Sequence, residues 1–513
     1  MPSYGYDINP SSGIAALKQQ LCQALVLTAE QQHRFKRIYL DSFDWRLLKK
    51  GYALQADQHD DHFQLQLFRL SDNELISQTL TTDLPHFATD LNHCRLAGLL
   101  APILGLRALM PQLELNISQH RLQRLNKQNK TTAELRLESI KPTSTSQSQP
   151  IKQLWHIPTK GYDKENKRIS QWLGKANAIQ AMTEPFLPTL LSRLDIDSSY
   201  NSKASKLLHA ESRSDSETKQ LLEFFLAIMR RNEHGIIADL DTEFLHDFRI
   251  AVRRSRTLLS QMPGIMPLRS VNSFKNQLAK LGAVTTPLRD LDVMLLNFDD
   301  YRSLLPNKKR CDLDPAFDFI QQQRQLAYQQ VCRYLQSKTY TGFCQRWQTL
   351  LQSPSPTNTP LTNAKRPLKQ LADQRIWKNY KKVLKQGLAI TSESPPDDLH
   401  SLRKSCKKLR YLLEFFNSLY PGKKIKQSIT TLKQLQDNLG EYQDIHVHMD
   451  FFQQLHSDMQ ENEQLSTATA GAIDTLISAL NIQQQECRQQ FQGRFKQFSS
   501  SAHQQLFKQL FRP

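Results

Sequence analysis

The 513-residue sequence has no paired cysteine motif, few glycines and no long apolar run, and each lack removes a class of protein. Its seven cysteines (Cys22, Cys94, Cys311, Cys332, Cys344, Cys406 and Cys487) stand apart, with no CxxC pair. That spacing suits neither a zinc site nor a disulfide framework, so a reducing, cytoplasmic setting is expected. The most apolar stretch, Leu96 to Leu106, is too short to span a bilayer and is followed at once by Arg107. It reads as a core helix, and no membrane partner is expected. The opening MPSYGYDINPSSG lacks the basic-then-apolar layout of a secretory signal.

What the sequence does have is length and positive charge. At 513 residues it should divide into two or three domains, each with its own core. Lys and Arg number 67 against 49 Asp and Glu, a net charge of +18, which favours polyanionic partners provided the charge is organised.

Residues 1–195 read as an α+β domain. Phe63, Leu65 and Leu67 alternate with Gln64 and Gln66, and Leu135 and Leu137 alternate with Glu134, Arg136 and Glu138. Both are the period of two expected of strands. Pro/Ser/Thr/Gln-rich sequence from Lys141 to Pro150 interrupts this region, and residues 196–219, polar and without periodicity, read as a linker. Residues 220–513 have an almost wholly helical pattern, divided into 220–352 and 364–513 by the Pro/Thr/Asn segment Ser353 to Asn363.

The two helical halves contain a repeat. The run from Leu245 to Arg256 (LHDFRIAVRRSR) lies over Leu399 to Arg410 (LHSLRKSCKKLR) without a gap, and Leu281-Gly282 and Leu439-Gly440 follow in turn. A duplicated bundle is the simplest explanation. In the second copy Leu399, Leu402, Cys406, Leu409 and Leu413 form a seam that must be buried. His400, Arg403, Lys407 and Arg410 fall one residue on, as a second stripe about 100° around the helix. The first copy pairs the seam Leu245, Phe248, Val252 with the stripe His246, Arg249, Arg253, Arg256, while Arg254, Lys404 and Lys408 widen the two strips.

A solvated helix face normally mixes charge signs to gain i,i+4 pairs. These stripes are nearly all cationic, twice over, and repel themselves unless an anion compensates. Arginine binds phosphate oxygens bidentately and lysine adds a mobile point charge. A histidine beside phosphate should rise in pKa and donate a hydrogen bond. A third basic element, Arg375, Lys378, Lys381, Lys382 and Lys385, also fits a plain amphipathic helix. Arg289 sits in the run Arg289-Asp290-Leu291-Asp292, and these acids, with Asp437 and Asp444, read as partners that orient arginines; as a metal site they are sparse.

LHDFRIAVRRSR with LGAVTTPLRDLDV, then LHSLRKSCKKLRYLLEFF with LQDNLGEYQDIHV, resembles the CHAD family, α-helical domains named for their histidines, over about Glu217 to Phe507. The resemblance implies two pseudo-symmetric four-helix bundles with a basic groove between them, binding of inorganic polyphosphate, and association with polyphosphate granules and polyphosphate-metabolising enzymes. Carried over position by position, the phosphate ligands would be His246, Arg249, Arg253, Arg254 and Arg256 with His400, Arg403, Lys407, Lys408 and Arg410, to which Arg289, Arg375, Lys378 and Lys433 are added.

The N-terminal region is similar to the CYTH, or triphosphate-tunnel, domain, through Tyr39 to Leu47, Gly51 to Leu54 and the later ELRLE and GYDKENKR stretches. Catalytic members begin with a Glu-x-Glu-x-Lys strand that helps to hold divalent metal; none occurs in residues 1–40. Gln55, Asp57, Gln64 and Gln66 stand where cations would hold triphosphate. The resemblance therefore implies a degenerate antiparallel β-tunnel with no catalytic residues, no metal and no cofactor. Two other functions stay open: a divalent-metal triphosphatase or polyphosphatase using this domain, and a nucleic-acid binder using the cationic stripes. The second is disfavoured by the scarcity of aromatics along the stripes.

Overall fold

The computed structural model describes residues 3–92, 94–143, 149–202, 206–354 and 361–512. The middle parts of the Lys141–Pro150 and Ser353–Asn363 stretches, and part of the expected linker, lie outside the described residues. The chain forms two compact units, Met1–Asn201 and Ser202–Pro513. The helical pattern begins earlier than the sequence suggests. The first helix of the second unit starts at Ser214, and Ser214, Asp215, Glu217 and Thr218 are already buried, so the end of the expected 196–219 linker is helix.

In the first unit the strands are β1 (Tyr4–Ile8), β2 (Thr28–Ala29), β3 (His33–Asp41), β4 (Tyr52–Gln58), β5 (Phe63–Arg69), β6 (Glu74–Thr81), β7 (Met110–Leu125), β8 (Thr131–Pro142), β9 (Ile151–Ile157) and β10 (Ile179–Ala181). They form one antiparallel sheet ordered β10-β1-β9-β8-β7-β3-β4-β5-β6, with β2 on β7; its edges, β10 and β6, do not pair, so the sheet stays unclosed. Helices α1 (Ile14–Leu25), α2 (Arg46–Lys49), α3 (Arg95–Leu104), α4 (Asp163–Leu173) and α5 (Phe186–Arg193) cover it. The expected core helix at Leu96 is α3, with Leu96, Leu100 and Leu104 buried. No helix among the described residues is long and apolar enough to cross a membrane.

The strand alternation holds, but its polar side is also buried. Leu65 and Leu67 enter one core cluster, while Gln66 on the opposite face is only 7% exposed. On that face Arg37 forks onto Asp57 at 2.7 and 2.9 Å and reaches Glu138 at 3.2 Å. Beside this triad α5 presses Phe186, Leu187, Leu190 and Leu191 against Tyr39, Ala53 and Leu115. About 80 Å³ of cavity is left between them.

The second unit is all helix: α6 (Ser214–Ile237), α7 (Thr242–Gln261), α8 (Leu268–Leu296), α9 (Phe298–Ser303), α10 (Asp314–Leu335), α11 (Lys338–Gln352), α12 (Leu368–Leu388), α13 (Pro396–Phe415), α14 (Gly422–Glu461), α15 (Thr467–Phe498) and α16 (Ser501–Phe511). Helices α6, α7, α8 and α10 make one four-helix bundle with α11 added; α12, α13, α14 and α15 make the other with α16 added, and α7 packs on α13 where the two meet. Each stripe helix starts from a local signal. Asp241 caps α7 by accepting from the amides of Glu243 and Phe244. Pro396, Asp397 and Asp398 occupy the first turn of α13, where a fixed φ and negative charge both favour helix.

Both bundles rely on a glycine near the end of their first helix. A Cβ on Gly235 would lie 2.2 Å from the Phe244 ring, and one on Gly387 1.9 Å from the Phe495 ring. Gly471 in α15 instead faces open space. Gly387→Ala is expected to lower stability by about 1–3 kcal/mol through overpacking, whereas Gly471→Ala should raise it by up to about 1 kcal/mol. Thermal unfolding of the two variants checks the contrast; equal effects would contradict the close packing at Gly387.

Candidate polyanion site

The seam residues of both repeats are buried as their spacing requires: Leu245, Phe248 and Val252 on α7, and Leu399, Leu402, Cys406, Leu409 and Leu413 on α13. That burial fixes the rotation of each helix. Of the stripes one residue further on, His246, Arg249, His400, Arg403, Lys407 and Arg410 are half-buried, and Arg253 and Arg256 are exposed.

Arg253 joins the two stripes. Burial lowers the pKa of Arg403 on α13 against the pull of Asp444, and Arg253, although it belongs to α7, is close enough to add to that lowering and to the lowering of Lys407. Burial, then Arg403, Arg253 and Arg410, bring the Lys407 ammonium down to about 8, against a smaller opposing pull from Asp444. Burial, helped by Arg253 and Arg289, lowers Arg249 to about 10, with Asp290 acting in the other direction. His246 is lowered by burial and then by Arg289. Like charges brought close together repel, and more strongly where burial removes the screening by water. Among the described residues, no carboxylate lies within 4.0 Å of the charged groups of Arg249, Arg253, Arg256, Arg289 or Lys407.

The next helix of each bundle holds the stripes in place. In the first, Arg249 Nη1 reaches Gly282 O at 3.1 Å, Thr285 Oγ1 at 2.8 Å and Thr286 Oγ1 at 3.1 Å. Both hydroxyl protons are committed to carbonyls one turn back, Leu281 O and Gly282 O, so the hydroxyl oxygens face Arg249 as acceptors. Arg289 donates to Thr242 O at 3.4 Å. In the second, His400 Nδ1 meets Gln443 Oε1 at 2.5 Å, Arg403 donates to Asp444 at 2.7 Å, and Arg410 donates to Gln436 at 3.1 Å. Gly440 lies between these contacts on α14, and a Cβ there would meet nothing within 4 Å. Gly282 sits under Arg256, whose Nη1 would be 3.8 Å from an added Cβ. A side-chain Cβ would therefore fit at either Leu-Gly pair without displacing the stripes.

Other candidates lie elsewhere. Arg254, expected to widen the first strip, turns instead to Glu414 at 3.1 Å and to Ser202 O at 3.0 Å. Glu414 also takes Arg410 at 2.7 Å, so the three form an ion-pair bridge between the two repeats. Arg375 is lowered by burial and by Arg366, and so belongs to a different neighbourhood. Lys378, Lys404, Lys408 and Lys433 are exposed. Of the acids, Asp444 does orient an arginine; Asp292 instead holds Arg324 at 2.8 Å together with Asp239. The sequence reading passed over Thr285, Thr286, Gln436, Gln443 and Glu414, which hold the stripes. Their signal was the helical spacing around the Leu-Gly pairs.

In the first unit, the carboxylates that a metal would need are engaged by arginines. Asp57 and Glu138 bind Arg37, and Glu134 binds Arg121 and Arg136. Gln55, Gln66 and Gln78 form an amide ladder along the same face.

Residues 220–453 match the sequence model described as the CHAD domain. The chain is similar to the solved CHAD domain of the plant Ricinus communis, at 23% identity and a TM-score of 0.48, over 58% of this chain and 96% of that one. PptA from Streptomyces chartreusis is similar at 15% identity and a TM-score of 0.43, over 56% and 100%. HpAC1 from Hippeastrum, described as having a dominant triphosphatase activity, is similar at 11% identity and a TM-score of 0.29, over 38% and 96%. No curated protein matches the chain at a significant level.

Because Arg253 depresses Lys407 from the opposite repeat, Arg253→Gln should raise the Lys407 pKa from about 8 toward the ordinary lysine value. A side-chain NMR titration of Lys407 in the two proteins measures this. An unchanged midpoint would mean that the stripes do not face a common space.

Proposed function

The chain carries a CHAD domain over residues 220–453, and on that premise we propose that it binds inorganic polyphosphate, without catalysis, in a basic groove between the two bundles. The observation that carries this reading is the position of Arg253, which repels Arg403 and Lys407 of the other repeat and has no carboxylate within 4.0 Å among the described residues. Bringing these cations together costs free energy in the empty protein. A ligand with many closely spaced negative charges relieves every pair at once, whereas a single anion relieves only its neighbours.

Position by position, Arg249, Arg253 and Arg256 with Arg403, Lys407 and Arg410 supply the cations, and His246 and His400 lie at one end of each stripe. Arg403 Nε is a buried donor with no protein acceptor among the described residues, which suits a phosphate oxygen as its partner. Arg289 stands behind His246 and Arg249. Lys408 and Lys433 lie at the exposed margin, and Arg254 acts through the Glu414 bridge. Arg375 and Lys378 belong to an outer surface that a long chain would reach only after filling the centre. A soluble, cytoplasmic protein resident on polyphosphate granules, alongside enzymes that make or degrade the polymer, is the setting this binding serves.

Replacing Arg249, Arg253, Arg403 and Lys407 together with alanine should abolish polyphosphate binding, since each charge-assisted contact is worth about 1.5–3 kcal/mol. Helicity should persist because none of the four lies on the buried seam. Isothermal titration and circular dichroism test both halves; retained affinity would sink the proposal. RNA of equal charge should compete poorly.

Affinity should also depend on pH with a defined sign. Lys407 titrates at about 8 in the free protein, and a bound polyanion raises that value. The Lys407 contribution to binding is therefore level below pH 8 and weakens as pH rises above it, toward one decade per pH unit, until the raised bound value is passed. Affinity that increased from pH 8 to 9 would contradict this.

A further inference from the structure

The two repeats hold equivalent arginines by different chemistry. In the repeat register Arg249 matches Arg403, and counting from Gly282 and Gly440 places Thr286 opposite Asp444 and Thr285 opposite Gln443. The contacts agree with that register. Arg249 reaches Thr286 at 3.1 Å, and Arg403 donates to Asp444 at 2.7 Å. The first repeat therefore holds its arginine in direct contact with neutral oxygens only, its nearest acid, Asp290, acting from beyond ion-pair distance. The second positions its arginine with a carboxylate.

Asp444 is placed to be displaced. Its side chain is 58% exposed while that of Arg403 is 17% exposed, so the acid can turn into water while the guanidinium stays. An exposed acid held by one ion pair loses little on leaving, about 0–1 kcal/mol. Lys407 also feels Asp444, so this one carboxylate acts on two of the second stripe's cations.

We infer that Asp444 is a built-in competitor for the phosphate position at Arg403, making the second repeat the weaker half of the site and the first repeat the half that captures an anion initially. This rests on the polyphosphate reading above and adds a residue that sets affinity and length selectivity. A short oligophosphate can be held by Arg249, Arg253 and Arg256 without taking the position at Arg403 that Asp444 fills. A long chain must evict Asp444 to gain Arg403 and Lys407, so Asp444 penalises it.

The test is calorimetric titration of the full chain with long-chain polyphosphate and with tripolyphosphate, comparing wild type, Asp444→Thr, Asp444→Asn, Thr286→Asp and Asp450→Asn. Asp444→Thr installs the residue of the matching position in the first repeat. Both Asp444 variants should bind long-chain polyphosphate about three- to fivefold more tightly, with a tripolyphosphate affinity within about twofold of wild type. Thr286→Asp should weaken both ligands. Asp450→Asn removes one acid from the same helix, six residues on, and should change little; an equal gain there would reduce the effect to net charge and overturn the inference. Unchanged or weaker long-chain binding by the Asp444 variants would show that the carboxylate only positions Arg403, and would also overturn it. Failure of wild type itself to bind either ligand would instead defeat the underlying reading of function.

Discussion

The mutual repulsion of cations from two copies of one helix is the constraint around which the second unit is built. Burying the seam from Leu399 to Leu413 fixes the rotation of α13, and burying Leu245, Phe248 and Val252 fixes that of α7. Once those rotations are set, Arg253 must approach Arg403 and Lys407. Hydrophobic burial is the larger effect, at about 1.5–3 kcal/mol for each fully buried side chain, so the fold tolerates the repulsion and keeps it in place. Under the proposed function, charge left unsatisfied in the empty protein is the source of affinity for a polyanion.

The bridge of Arg254, Glu414 and Arg410 shows the same economy of charge used in the opposite sense. It joins the repeats beside the stripes and cancels two cations that would otherwise add to the repulsion. Among the described residues Arg249, Arg253, Arg256 and Lys407 are left without an ion pair, whereas Arg403 is paired with Asp444. In the first unit such cancellation is carried further: Arg37 with Asp57 and Glu138, and Arg121 and Arg136 with Glu134, satisfy the inner polar face internally. One chain thus pairs off its charges in one domain and withholds pairing in the other.

Much of this was legible in the sequence because it depends on period. The seams, the stripes, the repeat and the apolar helix at Leu96 all follow from spacing of 3.6 or 2 residues, and the structure has them. Position along the chain does not reveal what a long side chain reaches. Arg254 lies one residue from Arg253, yet 100° of helix rotation carries it to Glu414. The strand at Gln64 and Gln66 showed its alternation, but not that Gln66 would be buried too, since that depends on Gln55 and Gln78 of the neighbouring strands. The early start of α6 at Ser214 was hidden by its first turns, whose Ser, Asp, Glu and Thr residues are polar in sequence and buried in the fold. The difference between Thr286 and Asp444 was present in the sequence too, but acquired meaning only when Arg249 and Arg403 were seen to contact them.

The most direct test of compensation between withheld charge and a polyanion is a count of protons. Titrating long-chain polyphosphate into the full chain at pH 8, in two buffers of different ionisation enthalpy, gives the number of protons exchanged on binding. With Lys407 at about 8 in the free protein, its protonation alone predicts net uptake of about half a proton per chain. Binding with no exchange, or with proton release, would contradict the account.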